Sequence, residues 1–204
     1  MTSVLLPTST LSTLPTLPTL PTSPTTTYSF HQLVQDIKAH LGNDGIEEDP
    51  AHLISLMNRY SSDATEWMRY FHNDLSRGYT RNSIANINGR ANLLLLVWNP
   101  SKGSPVHDHA NAHCIMKILS GQLTETVFQA PEAGESKGPL QIKQESVRRV
   151  NETAYISDDI GLHRMWNNGQ EVAVSLHLYT PPNAADYGFH IFDEETGQAS
   201  HIKP

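Results

Sequence analysis

The chain has 204 residues, enough for one domain with a sizeable buried core. Its 14 lysines and arginines against 21 aspartates and glutamates, with no basic cluster, argue against nucleic acid or an anionic membrane surface as partner. A small molecule is the expected partner, and because the single cysteine, Cys114, excludes an internal disulfide, the cytoplasm is the expected location.

Residues 1–27 repeat leucine–proline pairs among threonines and serines and hold no charged residue. Proline removes backbone donors and favours extended chain, and the scattered leucines offer no continuous face to bury, so this stretch reads as a disordered tail. It has neither the positive start and long apolar run of a secretory signal nor the arginines of a mitochondrial presequence. From Tyr28 the apolar period becomes helical, with Phe30, Leu33, Val34, Ile37 and Leu41 on one stripe ended by Gly42. A second helix is expected from Pro50, after Asp49, burying Leu53, Leu56, Met57 and Tyr60. A third follows Ser62, where Asp63-Ala-Thr-Glu66 has the capping-box form and Trp67, Tyr70 and Phe71 continue as core.

Beyond Gly78 the pattern turns to strands. Ala91 to Trp98 is a nearly continuous apolar run, expected as a central strand covered on both faces. Ala112–Ser120 and Gln122–Gln129 read as a hairpin around Ser120-Gly121, and Pro131–Pro139 as an exposed loop. Leu140–Lys143, Arg148–Ile156 and Val172–Tyr179 read as further strands. Runs of helix followed by runs of strand predict one domain, 28–204, with a helical layer (28–76) on a barrel (79–193). The fold class expected is mainly β with N-terminal helices: a small β-barrel capped by about three helices, which the spacing His107-x-His109-x4-Cys114-x6-Gly121 likens to the cupin type (jelly-roll).

In the run Pro105-Val-His107-Asp-His109, strand alternation points both imidazoles one way and Asp108 the other. With His163, after Gly161-Leu, they form the donor set of a mononuclear transition-metal site. The spacing His107-x-His109-x4-Cys114-x6-Gly121 follows the cupin pattern, with Cys114 where a glutamate ligand usually stands. Three neutral ligands on an octahedral metal leave positions for substrate and dioxygen. Taken alone, the pair also fits two surface histidines on an exposed strand. His52, His72, His113, His190 and His201 carry no such context. On Val172–Tyr179, the residues Ser175, His177 and Tyr179 share a polar face, which fits either a site wall or a solvated surface. Arg81 presents a rigid donor fork suited to a carboxylate, with Tyr79 on its face; a surface ion pair is the plainer reading.

The segments Tyr79–Asn82, Leu95–Trp98, His107–Cys114, Ala154–His163 and Ala173–Pro182 resemble the cysteine dioxygenase family of cupins, and the resemblance spans roughly residues 28 to 193. It implies that His107, His109 and His163 bind ferrous iron, Fe(2+), one per subunit. It also implies that Arg81 and Tyr79 hold the substrate carboxylate, that Tyr179 sits beside the iron with its hydroxyl held by His177, and that Ser175 and Trp98 stand behind them. Cys114 and Tyr179 would be joined by a thioether. The activity implied is oxidation of free L-cysteine by O2 to 3-sulfinoalanine (cysteine sulfinic acid), the first step toward hypotaurine and taurine or sulfite and sulfate, by a monomer. The alternatives are a dioxygenase for 3-mercaptopropionate and a non-catalytic metal-binding cupin. Cysteamine lacks the carboxylate that Arg81 would hold, and a structural zinc would need a fourth ligand.

Overall fold

The computed structural model describes residues 27–41, 50–131 and 138–204. The Thr/Pro-rich tail up to Thr26, Gly42, Asp49 and most of the expected Pro131–Pro139 loop lie outside the described residues. Two helices cover the barrel, α1 (Phe30–Leu41) and α2 (Ala51–Arg59), followed by the single turn α3 (Ala64–Trp67) and a 3-10 turn at Met68–Tyr70. Pro50 precedes α2 as its N-cap residue, one position outside the first turn.

The third helix is shorter than its stripe suggested, and its capping box is only half made. Asp63 Oδ1 accepts from the backbone N–H of Thr65 at 2.9 Å. The Glu66 carboxylate turns instead to the start of α1, where it accepts from the Phe30 N–H at 3.1 Å. A tertiary contact has thus taken the local partner. One capping residue ties two helices together, and Trp67 is buried beneath them.

The strands are β1 (Tyr79–Ile87), β2 (Ala91–Trp98), β3 (Lys102–Gly103), β4 (Val106–His107), β5 (His113–Ser120), β6 (Gln122–Phe128), β7 (Ile142–Arg149), β8 (Thr153–Ile156), β9 (Leu162–Asn167) and β10 (Ala173–Thr180). The short helix α4 (Asn183–Tyr187) then leads into β11 (Phe189–Phe192) and β12 (Ala199–Ile202). They form two antiparallel sheets, β1-β2-β10-β5-β8 and β12-β11-β4-β9-β6-β7, with β3 on β9. The architecture is mainly β with N-terminal helices, as the sequence predicts.

Period-two alternation explains the layering. Leu93, Leu95 and Val97 of β2, Ile115 and Leu119 of β5, and Val174, Leu176 and Leu178 of β10 point outward and pack under α1 and α2 with Phe30, Leu33, Ile37, Leu53 and Met57. The opposite faces send Leu96, Trp98, Met116, Ile118 and Ala173 between the sheets, against Leu123 and Met165 of the second sheet. The apolar run of β2 is continuous because both its faces are covered.

Two strand expectations are corrected. Ser120-Gly121 is not a hairpin: β5 pairs with β10 and β8, whereas β6 pairs with β7 and β9. Gly121, at φ +71°, is a corner at which the chain leaves one sheet for the other, and a Cβ there would approach the Ala173 Cα to 3.1 Å. A positive φ serves a corner as well as a turn. The expected Arg148–Ile156 strand is split, because Asn151 adopts φ +71° between β7 and β8. The strand expected at Leu140–Lys143 is the start of β7.

Candidate metal centre and substrate cavity

His107 ends the two-residue strand β4 directly opposite His163 of β9, and Ile191 of β11 flanks it on the other side. His109 lies past the end of regular pairing, in a loop where Ala110 and Asn111 take φ of 51° and 59°. The Asp158 carboxylate holds that loop, accepting from the N–H groups of His109 and Asn111 at 2.7 Å each. Asp108 faces away and bonds His190 through both its backbone N–H and Nδ1, at 2.8 Å each. The expected alternation holds although the strand is short.

The three imidazoles are buried, with ring centroids 5.1 Å (His107–His109), 4.7 Å (His107–His163) and 4.7 Å (His109–His163) apart. Each offers a nitrogen, and these atoms lie within 4.8 Å of one another. His107 Nδ1 is engaged by the Pro105 carbonyl at 3.0 Å and His163 Nδ1 by the Glu125 carboxylate at 3.1 Å, so the Nε2 atoms are left for the centre. Both ring nitrogens of His109 are buried and, among the described residues, have no partner within hydrogen-bond distance, the Asp158 carboxylate lying 3.8 Å from Nδ1. Buried polar atoms are normally satisfied, and a convergent orphan among imidazoles fits a metal ion. Burial, and then the charges of the neighbouring histidines, push His107 well below the usual imidazole range; burial lowers His109 too. Neutral imidazole is the form that ligates.

The polar face of β10 points inward. Trp98 Nε1 donates to Ser175 Oγ at 2.8 Å, Ser175 Oγ lies 2.8 Å from His177 Nε2, and His177 Nδ1 lies 3.1 Å from the Tyr179 hydroxyl. Indole can only donate, so the Ser175 hydroxyl accepts from Trp98. A neutral His177 then bridges Ser175 and Tyr179 in one of two tautomers, donating either from Nε2 to the Ser175 oxygen or from Nδ1 to the Tyr179 oxygen. Burial holds His177 well below its usual range, which keeps the ring neutral as this arrangement needs. Burial raises the Tyr179 phenol well above its ordinary value.

Cys114 on β5 is the cross-strand partner of Tyr179 on β10, and its Sγ lies 3.9 Å from His177 Nδ1. Burial, then the Glu125 carboxylate, push its thiol up, so it is protonated. Among the described residues it is not in the metal-ligating cluster.

A cavity of about 140 Å³ opens over the histidines, lined among others by Arg81, Asn92, Leu94, Tyr179, Pro182 and Phe189. Drug-sized ligands occupy roughly 300–1,000 Å³, so this space suits a much smaller molecule. Arg81 projects from β1 toward it, and among the described residues no carboxylate pairs with its guanidinium. Tyr79 does not line the cavity. Its ring stacks on Trp98 at 4.5 Å and lies 5.2 Å from the Arg81 guanidinium carbon.

Glu125 was not anticipated. It is a buried carboxylate bridging His163 to Arg148, whose Nε donates to it at 2.9 Å. Burial alone would raise its pKa, but the His163 hydrogen bond and the charges of His163 and Arg148 hold it below the usual carboxylate value. A signal was present: on β6 it shares a face with Leu123 and Val127, where a charge is out of place. Asp158 likewise went unread, because a carboxylate beside a turn looks solvated.

Residues 21–194 match the family described as Cysteine dioxygenase type I. The chain belongs to that family. It is 43% identical over 159 residues to "Cysteine dioxygenase type 1" of Homo sapiens, covering 78% of this chain and 76% of that one. It is 41% identical over 150 residues to the protein of the same name from Danio rerio, covering 73% and 72%. Among solved structures, a double-stranded β-helix domain protein from Klebsiella pneumoniae overlaps 62% of this chain and 93% of its own at TM-score 0.47 and 14% identity. The fold assignment rests on the strand order and not on that overlap. No helix among the described residues is long and apolar enough to cross a membrane.

Proposed function

We propose that this protein is an iron-dependent dioxygenase that oxidises the thiol of free L-cysteine with O2 to cysteine sulfinic acid. The carrying observation is a buried three-histidine cluster under a small cavity whose wall carries an arginine with no ion pair among the described residues, in a chain of the cysteine dioxygenase type I family. His107, His109 and His163 hold the metal. When bound, ferrous iron supplies thiol activation and the one-electron chemistry that lets dioxygen react with sulfur.

The protein's own residues bind, orient and exclude. Arg81 takes the substrate carboxylate through its donor fork, which sets the sulfur at the histidine end of the cavity. With His177 in its Nδ1–H tautomer, the Tyr179 O–H is free to donate toward the reacting sulfur and oxygen atoms. The buried walls keep bulk water from the reactive species. Tyr79 acts as a stacking support for Arg81.

Cross-strand placement of Cys114 and Tyr179 supports a thioether between them. Joining Sγ to a ring carbon beside the hydroxyl breaks the S–H and one ring C–H bond, and the two electrons and two protons released reduce one dioxygen to hydrogen peroxide. The phenol hydroxyl survives and its ring is fixed. The enzyme acts as a cytoplasmic monomer and feeds cysteine sulfinate toward hypotaurine and taurine or toward sulfite.

The test is to load the purified protein with ferrous iron and supply L-cysteine and oxygen. Cysteine sulfinate formed with one O2 consumed per product is the expected result. Oxidation of 3-mercaptopropionate in preference to cysteine would transfer the assignment to that thiol, and retained zinc with no turnover would favour a binding cupin.

A further inference from the structure

Arg81 lies close to two aromatic rings, one on its own strand and one far along the chain. Its guanidinium carbon lies 5.2 Å from the centroid of Tyr79, its neighbour on β1, and 5.5 Å from that of Phe189, the first residue of β11. Both distances fall within the roughly 6 Å reach of a cation–π contact. Phe189 also meets the ring of His107 edge-on at 6.1 Å and lines the cavity. Arg81 has no ion pair among the described residues, which leaves these two rings as its close cation–π neighbours.

Phe189 is itself held by the C-terminal hairpin. It pairs with Ile202 of β12, while Ile191 and Phe192 pair with His107 and Val106 of β4. The next residue, His190, is tied to Asp108 through its backbone N–H and its ring. The hairpin therefore carries Phe189 in a fixed relation to the histidine floor. Its second strand lies beyond residue 194, where the family match ends.

We propose that Phe189 is a positioning residue for substrate binding: with Tyr79 it clamps the Arg81 guanidinium so that its donor fork faces the cavity. This rests on the reading of Arg81 as the carboxylate anchor. A long, solvent-reaching arginine samples many rotamers, and two flat faces remove most of them while leaving the in-plane N–H groups free. The clamp thus acts on affinity before any substrate arrives.

The test is anaerobic calorimetry of L-cysteine binding to the iron-loaded protein, together with bound-iron analysis. Phe189→Leu is expected to weaken binding roughly three- to tenfold at unchanged iron content, whereas Phe189→Tyr, which keeps the ring, retains wild-type affinity. Should the leucine variant fail to fold, Phe189→Met provides a ring-free side chain of closer volume. In an Arg81→Ala background the Phe189 change should add nothing. An equal loss there would place Phe189 directly on the substrate and overturn the clamp, as would a tyrosine variant that binds as weakly as leucine. If Arg81→Ala alone leaves cysteine affinity intact, the anchor itself is elsewhere, and the clamp falls with it.

Discussion

The Glu125 carboxylate accepts from His163 Nδ1 at 3.1 Å and from Arg148 at 2.9 Å, so an imidazole of the three-histidine cluster is aimed by a buried anion that is itself paired with an arginine of the neighbouring strand. A carboxylate behind a ligating histidine fixes its tautomer and raises its basicity. Glu125→Ala should therefore lower iron affinity by roughly ten- to a hundredfold, with Glu125→Gln, which keeps an acceptor, falling between it and the parent. Competitive chelator titration measures this. Equal affinity in all three proteins would show that His163 is oriented by packing alone.

Removing a ligand has a larger effect. His107→Ala, His109→Ala and His163→Ala should each abolish stoichiometric iron and turnover while the thermal transition persists, because the sheets are held by apolar faces that do not involve these rings. Any of the three that retained one iron per chain would remove that residue from the ligand set.

Much of this site was legible because alternation on strands is a local rule. His107 and His109 share a direction, and Ser175, His177 and Tyr179 share another, in any strand of that sequence. What alternation cannot say is which side is inside. The lumen was identifiable on β10 only once α1 and α2 were seen to take the Val174, Leu176 and Leu178 face. Long-range choices were hidden for the same reason. A glycine with positive φ looks alike at a hairpin and at the Gly121 corner, since pairing partners decide the difference. Glu66 looked like the partner of Asp63 and serves Phe30 instead. Phe189 sits beyond a proline pair with no periodic context and meets Arg81 only through the closed barrel.

The carboxylate anchor predicts a separation between metal and substrate. Arg81→Ala removes charge-assisted hydrogen bonds, each contributing on the order of 1.5–3 kcal/mol, so cysteine affinity should fall roughly tenfold to a hundredfold at constant iron. Binding isotherms of iron-loaded protein decide it. A parallel fall in iron content would mean that Arg81 supports the histidine cluster rather than the substrate.

Lys117 supplies a stability test away from the site. It lies on the helix-facing side of β5 with Ile115 and Leu119, fully buried, and its Nζ donates to the Asn151 carbonyl at 2.8 Å. Burial lowers its pKa from 10.5 to about 8. The unfolded chain therefore holds this proton up to higher pH than the folded one, and the contribution makes stability rise with pH between those values. Lys117→Met should remove that rise, on the order of 1–3 kcal/mol, in chemical denaturation series across the window. Parallel curves for the two proteins would show that the buried amine keeps its proton.

The boundary proposed after residue 27 can be tested by shortening the chain. The start of α1 is closed by residues that follow this point: the Gln32 N–H donates to Ser29 Oγ at 3.1 Å, the Phe30 N–H to Glu66, and the Tyr28 phenol to Asp36 at 2.9 Å. No cap has to come from the Thr/Pro-rich segment. The site residues from Tyr79 to Phe189 are held by contacts of the sheets and α4. A chain beginning at Thr27 should keep its thermal transition, its iron and its cysteine turnover. If turnover fell while iron stayed constant, residues before Thr27 would have to reach the cavity mouth beside Arg81 or Phe189. A lowered thermal transition would instead show that they pack on the helical layer, and in either case the domain would begin earlier.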